Sequence, residues 1–85
     1  MQINMMQRQL KLNSCVIQGL CEELVKLKDA RRVCYKLGVP DDAKICTQFI
    51  RKFEKKLAKM NEMQKALKAE LKEAYWWAFN MVELA

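Results

Sequence analysis

Arg51, Lys52, Lys55, Lys56 and Lys59 crowd five cations into nine residues, and the chemistry open to such a group is anion binding. Arg51, Lys55 and Lys59 recur at four-residue spacing, so on a helix they follow one outer face, with Lys52 and Lys56 beside them. Arg32 and Lys36 repeat that spacing earlier in the chain, and Arg31 precedes them. Like charges that cluster instead of alternating with Glu suit a polyanion, because neutralising several phosphates drives non-specific nucleic-acid binding. The competing reading is a lysine-rich helix face that only solvates.

Other chemistry is thin. Four cysteines stand at 15, 21, 34 and 46, and the chain has no His. None of the gaps is a C-x-x-C pair, and zinc sites need closer pairs or His partners. The expected state is reduced thiols buried in a helical core, with no metal and no cofactor. Without His the usual general base at neutral pH is missing, and no acid, base and nucleophile converge, so an enzyme is not expected.

The elements that must position these residues are punctuated once. Leu37-Gly38-Val39-Pro40-Asp41-Asp42 holds the single Pro and one of two Gly. Gly can close a helix with a left-handed φ, Pro suits the first turn of the next helix, and the two Asp suit its positive end. Helices are therefore expected over about residues 2–37 and 41–83, with the turn at 38–41. The second carries a seam at spacings of four and three: Cys46, Ile50, Phe53, Leu57, Met60, Gln64, Leu67, Leu71, Ala74, Ala78 and Met81. The first carries Ile3, Met6, Leu10, Asn13, Ile17, Leu20, Leu24, Leu27, Arg31 and Cys34. Asn13-Ser14 is an alternative N-cap or bend, but the seam keeps register through it.

Folding the rods at the turn pairs positions whose numbers sum to about eighty. Cys34 then meets Cys46, Leu24 meets Leu57, and Ile3 and Met6 meet Ala78 and Ala74. Asn13 and Gln64 come near one level, either as a buried pair that fixes register or as two solvated amides. The fold class expected is all-α: a long antiparallel αα-hairpin, one domain over 1–85, assembling into a helical bundle with coiled-coil-like packing. Gly19 lies beside the seam, where close approach of a second hairpin or a slight bend would explain it, a tolerated accident being the alternative.

An 85-residue hairpin has little core of its own, so self-association is expected. Tyr75, Trp76, Trp77, Phe79, Met81 and Val82 point in most directions around the last turns and form the expected oligomer interface. No signal-peptide pattern opens the chain and no window is apolar enough to span a bilayer, so a cytoplasmic protein without a membrane is expected.

Charge divides the rod lengthwise. From Lys26 to Lys59 eleven basic residues face four acidic ones, about +7, while the rest holds five basic and six acidic, about −1. One pole is basic and the other aromatic. Tyr35, Phe49 and Phe53 are the only rings in the basic half, and the last two read as part of the apolar face, which leaves little for base stacking. Arg31, on the seam, would snorkel outward or stack on Phe49 or Phe53. The function expected is a non-enzymatic oligomeric binding protein with a basic turn-proximal surface for nucleic acid or another polyanion. The alternative is a protein-interaction module, an adaptor, chaperone or inhibitor whose partner is acidic or offers a groove.

Overall fold

The computed structural model describes residues 3–84, with side chains placed through Met81. Two helices, α1 (Ile3–Leu37) and α2 (Pro40–Leu84), pack against each other as an antiparallel hairpin measuring 71 × 15 × 14 Å. The protein is all-α. Both rods run unbroken because neither contains an interior Pro, and α1 continues through Asn13-Ser14 without a cap or break.

The turn closes as its residues dictate. Gly38 takes φ +70°, a conformation that costs other L-residues about 1–2 kcal/mol. Its N–H donates to the Tyr35 carbonyl at 3.3 Å, and the Val39 N–H donates to the Cys34 carbonyl at 3.0 Å. Those are the two bonds of a Schellman cap, and they occupy carbonyls the end of α1 would otherwise leave open. Val39 then caps α2: its carbonyl accepts from Ala43 N–H, with Pro40, Asp41 and Asp42 in the first turn.

Burial follows the seams. In α1 every residue that is not exposed lies on the ten-residue seam, with Met6, Asn13, Leu20 and Leu24 buried. In α2 the seam is covered from Cys46 to Ala74, and it begins one step earlier than expected, at the buried Ala43. Its last members, Ala78 and Met81, are exposed. At the register of eighty they lie at or beyond the level of Ile3, where α1 has no further turn among the described residues to cover them. The expected contact of Ile3 with Ala78 is therefore not made into a buried layer.

Other expectations need correction. Cys15 and Cys21 are exposed and only Cys34 and Cys46 are half-buried, because only the latter two fall on the seam. Phe49 is 47% exposed, one position off the seam, while Phe53 is half-buried on it. Asn13 and Gln64 are both buried, at 3% and 7% exposure, so they are not solvated amides. They do not bond to each other. Gln64 Nε2 reaches across to the Leu10 carbonyl and to Ser14 Oγ, both at 3.0 Å, and Asn13 Oδ1 accepts from Gln9 Nε2 at 2.8 Å. The Gln64 Oε1 atom is buried without a partner.

Candidate polyanion-binding face

The seams define which way every other residue points. With Ile3 and Met6 as heptad positions a and d of α1, and Ile50 and Phe53 as a and d of α2, positions b and e lie on one flank of each helix. Positions c and g lie on the other flank, and f lies outermost. Like flanks adjoin across the hairpin. Gln7 donates to the Tyr75 hydroxyl, and both are e residues. Gln9, Met63 and Glu70 of the g positions line one hollow of about 350 Å³ with Ala66, Asn13 and Leu67. The rod therefore has two broad sides, one built from b and e, the other from c and g.

Those sides differ in charge. The b/e side carries Lys11, Lys28, Arg32, Lys44, Arg51, Lys65, Lys68 and Lys72, all exposed, against Glu54 alone, a net of +7. The c/g side carries Lys26, Lys52, Lys56 and Lys59 against Glu23, Asp42, Glu70 and Glu73, a net of zero. They differ as much in polarity. Met5, Leu12, Val16, Val33, Leu37, Ile45, Phe49, Met63 and Trp77 are exposed on the c/g side, against Val25, Tyr35, Tyr75 and Phe79 on the other. A lateral division thus crosses the lengthwise one. Its signal was present in the sequence, in the heptad letters of the residues off the seam.

The eight residues expected to bind polyanions do not share one surface. Arg32 and Arg51 stand on the b/e side. Lys36 and Lys55 ride the outer f ridges of different helices. Lys52, Lys56 and Lys59 fall on the c/g flank of α2, where with Lys55 and Ala58 they line a shallow groove of about 420 Å³. Arg31 is half-buried and donates from Nη1 to Thr47 Oγ1 at 3.4 Å; among the described residues it makes no stacking contact with Phe49 or Phe53. Thr47 in turn donates to the Ala43 carbonyl at 3.1 Å.

Ion pairing leaves most of this charge uncompensated. Among the described residues the ion pairs are Lys26 with Glu23 at 3.5 Å and Arg32 with Asp29 at 4.0 Å, both exposed and within one helix. Such pairs contribute about 0–1 kcal/mol and hold nothing firmly. No cation of α2 is paired among the described residues.

At the far pole Tyr75, Trp76, Trp77, Phe79 and Met81 are exposed, and the indoles of Trp76 and Trp77 meet edge to face at 5.1 Å. Their letters are e, f, g, b and d, so they encircle α2 and belong to no single side. The Val82 side chain lies outside the described residues. Near the turn Cys34 and Cys46 face each other across the seam; desolvation first, then the neighbouring Cys46 thiol, holds the Cys34 pKa above its usual value. Among the described residues no group of three or more His, Cys, Asp or Glu is placed to hold a metal ion, and no helix is long and apolar enough to cross a membrane.

No family model matches the chain, and neither a curated protein nor a solved structure is significantly similar to it.

Proposed function

We propose that this chain is a non-enzymatic, self-associating helical protein whose b/e side binds the phosphate backbone of a folded or duplex nucleic acid. One observation carries the reading: eight cations face one carboxylate on a single side of a straight rod. On α2 alone Lys44 to Lys72 span about 42 Å at 1.5 Å per residue. A duplex carries one charge per about 1.7 Å of axis, so a rod lying along it meets many phosphates. Flexible lysines on a helical ridge suit backbone contact, which positions a protein without reading bases. The reading also suits the cytoplasm, where reduced thiols persist.

The test is duplex binding by anisotropy between about 50 and about 200 mM salt. Log affinity is expected to fall linearly with log salt. Arg51→Glu combined with Lys65→Glu should weaken binding and flatten the slope by roughly one for each phosphate no longer neutralised, whereas Lys26→Gln, on the other side, should leave it nearly unchanged. No binding at the lowest salt sinks the reading.

The exposed Trp76 and Phe79 favour a second reading, a protein-interaction module gripping a groove on its partner. A complex that withstands high salt would be its signature.

A further inference from the structure

We infer that the c/g side of the hairpin docks on the same side of a second copy, with the turns at opposite ends, about a two-fold axis at Val16 and Met63. The product is a four-helix bundle. This deepens the self-association in the reading above and is independent of what the b/e side binds.

The hairpin alone cannot enclose a core. Among the described residues no large side chain falls below 2% exposure, and two helices leave each other half-covered. An apolar flank added to the a/d seam is the pattern of a helix in a bundle, wider than a two-stranded seam. The face measures roughly 71 by 15 Å. That projects to on the order of 1,000 Å², against roughly 800 Å² per partner in a stable interface.

What singles out a second copy is self-complementarity. When α2 lies antiparallel to the partner's α2 about Met63, positions equally far from Met63 come opposite. Seven residues away on either side stand Lys56 and Glu70, and fourteen away stand Phe49 and Trp77. Lys56 thus faces the partner's Glu70, Phe49 faces the partner's Trp77, and Met63 faces itself. The neighbouring c positions place Lys52 by the partner's Glu73. Both copies make each contact, as an isologous interface requires.

α1 contributes one matched pair under the same operator. About Val16, Leu12 comes opposite the partner's Gly19, a large residue against the smallest. Within the hairpin a Cβ on Gly19 would meet nothing within 4 Å, so no contact inside the chain asks for glycine there. Val16 and Met63 sit at one level of the hairpin, since their numbers sum to 79, so a single axis serves both helices. With the turns at the same end, Glu70 would face Gln9, Lys52 would face Lys26, and the two basic halves would lie together. Opposite ends separate them.

Sedimentation at micromolar concentration should show a dimer. Lys56→Glu and Glu70→Lys should each raise its dissociation constant about tenfold at low salt, and the double variant should return to within about threefold of the parent. Both charge variants keep every seam residue, and circular dichroism checks that they remain helical. In a second measurement, with the four native cysteines changed to Ser, Met63→Cys should oxidise to a linked dimer and Lys65→Cys, on the opposite side, should not. A dimer that tolerates both single charge variants and does not cross-link at 63 overturns this inference and leaves self-association standing. A monomer overturns both, while duplex binding by that monomer would leave the b/e reading intact.

Discussion

Gln64 shows how much a single side chain decides here. It is the one polar member of the α2 seam, and its amide nitrogen bridges to Leu10 and Ser14 while Oε1 is buried unbonded. A buried acceptor without a partner costs about 1–3 kcal/mol. Gln64→Leu should therefore raise the free energy of unfolding by about 1 kcal/mol in urea titrations, since the Leu10 carbonyl keeps its helical bond and the Ser14 hydroxyl is exposed to water. The cost should appear in specificity of register, which buried amides fix in coiled coils. The thiols offer a second check. Cys15 and Cys21 are exposed, and the Cys34 thiol is held above its usual pKa by desolvation and by Cys46. The thiolate is the nucleophile, so at mildly alkaline pH iodoacetamide should modify Cys15 and Cys21 first and Cys34 more slowly. Because the raised value favours the protonated form in the fold, its contribution to stability is present at neutral pH and is lost as pH climbs through the folded-state pKa.

At the level of elements, the turn, the seams and the flanks of each helix were legible, whereas which flanks adjoin was not. The Schellman cap at Gly38 follows from one glycine before one proline, both local signals. Gly38→Ala should cost about 1 kcal/mol through backbone strain alone, since nothing lies within 4 Å of its added methyl. A lowered urea midpoint with unchanged slope would show it. The seam was legible because a 3.5-residue period repeats across ten positions in α1, and burial follows all ten. Ala43 is not marked by the period because it lies in the first turn of α2, where no earlier seam member precedes it. Cys15 and Cys21 are exposed although cysteine as a residue type favours burial, because position on the helix decides exposure. The partners of Gln64 lie 54 and 50 residues away, and only the meeting of two helices can specify them.

On the scale of the whole rod, the two tryptophans part company. Trp77 is a g residue on the apolar side, opposite Phe49 in the proposed bundle, whereas Trp76 is an f residue facing outward. Trp77→Ala should weaken the dimer clearly, and Trp76→Ala should barely alter its sedimentation. Equal weakening in both would move the interface to the aromatic pole as a whole. Polarity by side also explains how one small chain could assemble and still keep a cationic face free: the charges proposed to bind phosphate and the apolar residues proposed to meet a copy lie back to back.

Local rules in the sequence alone determined two long helices, the place and form of the turn, and the seam on which they meet. Each depends on spacing within a few residues or on one glycine's φ. Where charge lies along the chain was also plain, since counting needs no fold. Only the tertiary structure decided where charge lies around it. Pairing like flanks across the hairpin sums two helices into one basic side and one apolar side, and the five cations from Arg51 to Lys59, clustered within nine residues, are split between those sides and the outer ridge because a helix turns by about 100° per residue.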